Sequence, residues 1–182
     1  MVGKNFIQSW LFQIALSICL VFFVSCSEEQ AYPDKPQIVR VSILPYKRIP
    51  TPYGRGVQDS ILIKIYVKDG NGDLGINRPV NSADAMRFIS NGNWTNYKIT
   101  ILRLNGNKFE PVEPLVNRDV VFFPSLANSK KVKEGHLYFN RTFIYYEKVS
   151  MSPTKFLIQI RDNNLNESNV IETDTVIVPY PK

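Results

Sequence analysis

Asp69-Gly70-Asn71-Gly72-Asp73 sets three oxygen-bearing side chains at alternate positions with glycine between them. Short acidic and amide side chains in that pattern can wrap a hard cation while the glycines permit the sharp turn, and calcium is the cation such a loop takes. An EF-hand loop needs a bidentate Glu at its twelfth position, and counting from Asp69 that position is Val80, so the loop is no EF-hand. The same residue types also build the turns that end strands. A second stretch of similar chemistry, Asp162-Asn163-Asn164, follows another apolar run. If the strands ending at Lys68 and Arg161 are the second and sixth of a two-sheet fold, the loops after them leave the same end of the domain. Asp69, Asn71, Asp73, Asp162 and Asn164 would then converge. Three carboxylates brought together repel one another unless a cation sits among them.

Other chemistry is thinly represented. The single histidine, His136, follows Gly135 at the start of an apolar-polar alternation, and neither a G-x-S-x-G elbow nor an H-E-x-x-H helix occurs, so the chain is read as non-catalytic. The 16 acidic residues allow glycosidase-like pairs, but none stands out. The segment from Asp69 to Thr95 is long for a loop and holds Arg78, Met86, Arg87, Phe88 and Trp94. This aromatic and basic set suits a surface that binds glycan or protein; the plainer reading is that Phe88 and Trp94 cap the core. Phe143-Ile144-Tyr145-Tyr146 reads first as a strand surface and second as a sugar-stacking face. Lys130, Lys131 and Lys133 form a solvated loop or a contact for acidic polysaccharide or anionic headgroups. The formal charge of +6 comes with no aromatic-basic recognition motif, and nucleic acid is not an expected partner.

The elements that must position these residues are strands. From Asp59 to Lys68, Ile61, Ile63, Ile65 and Val67 alternate with Lys64, Tyr66 and Lys68, a period of two. Thr154 to Asp162 repeats the pattern with Phe156, Ile158 and Ile160 inward against Gln159 and Arg161 outward. Further strands are expected over 37–44, 96–104, 120–123, 137–147 and 169–178, with a hairpin at Asn105-Gly106-Asn107. A sustained helical stripe is missing after residue 26, apart from a short turn around Ala83 to Ile89. About seven short strands predict an all-β, immunoglobulin-like or fibronectin-type β-sandwich over 36–182, with a small barrel or jelly roll as alternatives.

The amino terminus carries an address. Lys4, an apolar segment from Trp10 to Val24, and small Ser25 before Cys26 follow the grammar of a cleaved signal peptide, and the segment is shorter than the roughly 20 apolar residues of a spanning helix. Phe23-Val24-Ser25-Cys26 resembles a bacterial lipobox, with Phe23 where such boxes usually carry Leu. The expected organisation is a lipoprotein signal over 1–25, a lipidated tether over 26–35 anchored to the membrane through Cys26, and the β domain. Cys19 follows Ile18, which is not small, and should not be processed. With Cys26 acylated, the mature chain retains no thiol for a disulfide, a metal or catalysis.

Ile65-Tyr66-Val67-Lys68-Asp69-Gly70-Asn71-Gly72-Asp73-Leu74-Gly75 resembles the strand-DGDGDLG signature of a family of uncharacterised Bacteroidota lipoproteins, with Asn71 where the family usually has Asp. Ile160 to Thr173 is similar to the DRxLNxSNxxxT element that closes the same chains. The resemblance implies an outer-membrane lipoprotein. Ser27-Glu28-Glu29-Gln30 resembles the surface-export signal of such proteins, so the cell surface is the expected side and the periplasmic face the alternative. Asp59-Ser60-Ile61 and Asp174-Thr175-Val176 resemble Bacteroidota O-glycan sites, at Ser60 and Thr175. The function expected is a non-catalytic binding or structural module with a glycan or an envelope protein as partner. An accessory subunit of an adhesion or glycan-uptake assembly is the alternative, and a glycan-active enzyme a remoter one.

Overall fold

Ile61, Ile63, Ile65 and Val67 are at most 2% exposed, and Phe156, Ile158 and Ile160 are wholly buried, as their alternation requires. The computed structural model describes residues 32–50, 57–76, 81–112, 122–125, 134–145 and 149–181. Cys26, Arg78, Lys130, Lys131, Lys133 and Tyr146 lie outside them. Strands β1 (Gln37–Pro50), β2 (Val57–Lys68) and β5 (Glu134–Tyr145) form one sheet in the order β1-β2-β5. Strands β3 (Tyr97–Asn105), β4 (Lys108–Val112), β6 (Val149–Ile160) and β7 (Ile171–Glu172) form a second in the order β4-β3-β6-β7, with β8 (Val176–Pro181) also paired to β6. Every strand pairing is antiparallel. The fold is all-β with one short helix among the described residues, α1 (Ser82–Ser90).

The buried rows of the two sheets meet in one apolar core, where Ile61, Ile63, Ile65, Leu137 and Phe139 pack with Ile101, Phe156, Ile158, Ile160 and Val178. Each such side chain removed from water contributes about 1.5 to 3 kcal/mol. The strand expected over 120–123 is not seen in its described part; Phe122 and Phe123 lead to a single parallel bridge, Ile76 with Pro124. The turn expected at Asn105-Gly106-Asn107 is a hairpin pairing Asn105 with Lys108, with Gly106 at a φ of 60°. The short turn expected near Ala83 is a nine-residue helix. Asn81 caps it by accepting the Asp84 N–H at 2.8 Å, and Asp84 in the first turn and Arg87 in the last both suit the helix dipole.

Polar side chains take the place of missing backbone partners at four points. The Asn96 amide exchanges two bonds with the backbone of Phe123, both at 3.0 Å. Ser168 Oγ accepts the Ile160 N–H, and Thr173 Oγ1 accepts the Phe156 N–H, each at 3.0 Å. Asn169 bonds Ile38 of β1 in the same reciprocal way, at 2.9 and 3.0 Å, and so ties the β6–β7 connection to the other sheet. Two bonds of ordinary worth are lost together in Asn169→Ala, which should cost about 2 kcal/mol and lower the melting temperature by roughly 4 to 8 °C. An unchanged melting curve would show that the clasp carries no stability.

Candidate metal centre

Strand β2 ends at Lys68, and the chain turns at once. A side chain at Gly70 would place its Cβ 2.2 Å from the Tyr32 carbonyl oxygen, and the Gly70 N–H donates to the Pro33 carbonyl at 2.9 Å. The compact unit therefore begins at Tyr32, within the stretch expected as tether. Gly75 has a φ of +85° and faces the Pro124 carbonyl, 2.2 Å from where a Cβ would stand. Glycine is required there by space and by conformation.

The turn brings Asp69 and Asp73 beside Asp162, with one carboxylate oxygen from each within 4.8 Å of the others. Oxygens on opposite sides of a calcium ion with bonds of 2.3 to 2.6 Å lie about 4.6 to 5.2 Å apart, so this spacing admits the ion. Asp69 is wholly buried and Asp162 is 1% exposed. Asp69 Oδ2 accepts the Asp73 N–H at 2.9 Å, while Asp69 Oδ1 is buried without a hydrogen-bond partner. Burial first, then the Asp73 carboxylate and after it Asp162, push the Asp69 carboxyl up to about 6, against the backbone N–H groups of Asp73 and Leu74 that favour its charged form. An orphaned oxygen of this kind is costly in water-excluded surroundings and is the group a cation would satisfy.

The neighbouring amides hold the acids in place. Asn71 Oδ1 accepts the Asp73 N–H at 3.1 Å. Asn163 Nδ2 donates to the Asp73 carbonyl and Asn164 Nδ2 to Asp73 Oδ2, each at 2.8 Å. Asp162 Oδ1 accepts the Asn166 N–H and Oδ2 accepts Asn166 Nδ2, both at 2.8 Å. The two loops expected to converge are thus cross-linked. Asn164 acts as a clamp on Asp73, donating where a metal ligand would have to accept. Three carboxylates supply oxygen ligands for a hard divalent ion.

Arg161, one residue before Asp162, is 1% exposed. Its Nε donates to the Thr95 carbonyl at 2.8 Å and Nη1 to that of Asn91 at 2.6 Å, and Nη2 donates to the carbonyls of Phe88 and Trp94. The guanidinium lies 4.1 Å from the Trp94 ring centroid and 5.0 Å from that of Phe88. It thereby pins α1 and the turn after it to the end of β6.

The other expected site residues are scattered. Phe88 is wholly buried against Ile76 and Phe122, so its ring is not offered to a ligand. Trp94 is half-buried over Arg161, and Arg87 is exposed with its guanidinium 5.2 Å from the Phe88 ring. Ser60 sits inside β2 opposite Thr142, whereas Thr175 is exposed in the break between β7 and β8. His136 lies 5.1 Å from the Tyr66 ring and 6.4 Å from that of Tyr138. Sequence reasoning missed Arg161, since a charged residue after an alternating strand reads as an outward position. The flanking Trp94 and Phe88 were the available signal. Among protein-family models, curated proteins and solved structures, none matches the chain.

Proposed function

We propose that the chain is a lipid-anchored envelope protein whose immunoglobulin-like β-sandwich is a non-catalytic module that binds calcium at the Asp69, Asp73 and Asp162 loop pair. The observation that carries the cation is Asp69, wholly buried with one carboxylate oxygen lacking a hydrogen bond and with two further carboxylates in coordinating range. The ion would neutralise a cluster that otherwise destabilises its own loops, and would fasten the β2 end to the β6 end. Immunoglobulin-like connectivity is supported by the strand order. Labelled A, B, C, C′, E and F for β1 to β6, with β7 and β8 together as G, the sheets read A-B-E and C′-C-F-G. Anchoring rests on the lipobox, and among the described residues no helix is long and apolar enough to cross a membrane.

Isothermal titration of the full chain in nonionic detergent should show calcium binding with a stoichiometry of one, and weaker magnesium binding because magnesium demands tighter octahedral geometry. An absence of calcium heat with chelator-stripped protein would end the metal reading. For the anchor, Cys26→Ala should release the protein from the membrane fraction or leave it unprocessed, and Cys19→Ala should change neither. A fully processed, membrane-bound Cys26→Ala protein would refute lipidation at that residue.

A further inference from the structure

The outward face of the β1-β2-β5 sheet carries more than a solvated surface needs. Two cross-strand rows lie side by side: Arg40, Tyr66 and His136 in one, Ser42, Lys64 and Tyr138 in the next. The Tyr66 and His136 rings are 5.1 Å apart with a 46° tilt, and the His136 and Tyr138 rings 6.4 Å apart with a 39° tilt, so an aromatic strip runs across β2 and β5. Tyr138 is 55% exposed. Lys64 Nζ stands 5.6 Å from its ring centroid, and Lys68 Nζ stands 4.7 Å from that of Tyr32. The acid of the face, Glu134, is engaged by two phenol hydroxyls, Tyr32 at 2.8 Å and Tyr66 at 2.6 Å. Glu134 keeps its charge, which both phenols favour, so Arg40, Lys64 and Lys68 leave the face net positive around the aromatic strip, with Leu44 and Leu62 in the next row.

We propose that this face binds an acidic polysaccharide, a polymer of uronate-type sugars laid across the Tyr66, His136 and Tyr138 strip with its carboxylates against Arg40, Lys64 and Lys68. A pyranose ring has an apolar C–H face and a hydroxyl rim, which matches tyrosine rings that present an apolar body and a polar tip. Three cations against one carboxylate leave a net positive face, the charge complement to a polyanion. The surface is a sheet face and not a strand edge, so a peptide could not gain main-chain pairing there. The rings carry polar tips, and Leu44 with Leu62 in the neighbouring row is a small apolar patch beside the Trp, Phe and Leu set of a bilayer-inserting face. The face belongs to the opposite side of β2 from the core, and its use does not depend on the metal reading.

The test is affinity electrophoresis or calorimetry of the full chain in nonionic detergent, with chelator present so that the acid loops take no part. The probes are polygalacturonate, its methyl ester, polyglutamate, and vesicles containing phosphatidylglycerol. Polygalacturonate should bind best and the neutral ester at least tenfold more weakly. Affinity should fall steeply between 50 and 500 mM salt, since exposed charges are screened over about 8 Å at physiological ionic strength. Tyr138→Ala and Lys64→Gln should each weaken polygalacturonate binding about tenfold without changing the melting temperature, whereas Ile177→Ala on the other sheet should leave binding as it is. Equal affinity for polyglutamate, preference for the vesicles over polygalacturonate, or an unaltered Tyr138→Ala would each overturn the proposal.

Discussion

Saturating calcium should raise the melting temperature of the protein by roughly 5 to 10 °C, and Asp69→Asn should abolish that rise while making the chelated protein more stable than the parent at neutral pH. A ligand that binds only the folded state stabilises it by RT ln(1 + [L]/Kd), about 2.7 kcal/mol at a hundredfold excess over Kd. For a domain of this size each kcal/mol shifts melting by roughly 2 to 4 °C. The reversal in chelator follows from Asp69, whose carboxyl is pushed up to about 6 by burial and by Asp73. A raised carboxyl means that the folded state holds the proton more tightly than the unfolded chain does. The contribution of Asp69 is therefore most favourable at low pH, is lost as pH rises from about 4 to about 6, and stays lost above. Ionising it at pH 7 costs about 2 to 3 kcal/mol. An Asn there carries no charge, can still accept the Asp73 N–H, and turns a donor toward two carboxylates.

The gap between parent and variant should consequently close: the variant is the more stable in chelator above pH 6, and calcium brings the parent about level with it. The difference between them in chelator should shrink as pH falls from 6 toward 4, which separates this carboxyl from the other acids of the chain. A variant that keeps the full calcium response, or one less stable than the parent under both conditions, would leave the loop as a hydrogen-bonded turn.

How much of this could be read from residues alone differs from element to element. The inward rows of β2 and β6 were legible because period-two alternation leaves no choice of face once one side is apolar. The convergence of Asp69, Asp73 and Asp162 was legible too, since it needs only the order of strands and the ends at which their loops leave. The hairpin at Gly106 was legible from its turn chemistry. Helix α1 was legible only as a short turn around Ala83 to Ile89, because few of its residues, Ala85 and Phe88 foremost, face an apolar cluster, too few for a sustained helical period. Phe88 and Trp94 left two readings open for a related reason: aromatics in a long segment look alike whether they meet a ligand, cap a core or flank a buried guanidinium. The strip of Tyr66, His136 and Tyr138 comes from two strands far apart in sequence, and only their register makes neighbours of them. Ser168, Asn169 and Thr173 lay inside a quoted motif, but motif matching could not show that they replace backbone partners.

Replacing Arg161 should have the largest effect of any single substitution considered. Its guanidinium donates to the carbonyls of Phe88, Asn91, Trp94 and Thr95, and a methyl group in its place would strand four acceptors and open a cavity between two aromatic rings. A lost buried charge network of this kind costs about 3 to 5 kcal/mol, so Arg161→Ala should lower melting by roughly 10 °C or more. Arg161→Lys keeps the charge but offers three donors on a compact head where a planar fork now reaches in several directions, and should recover only part of the loss. The damage should begin locally. Amide hydrogens of α1 should exchange faster in the lysine variant before global unfolding is affected, because the helix is held to β6 chiefly through its carboxyl end. Asp162 follows Arg161 directly, so loosening that anchor should also weaken calcium binding without altering any ligand. Lysine and alanine variants as stable as the parent would mean that water replaces the guanidinium at those carbonyls, and that the apolar cluster of Phe88, Ile76 and Phe122 with Leu165 suffices to hold α1 to the loop after β6.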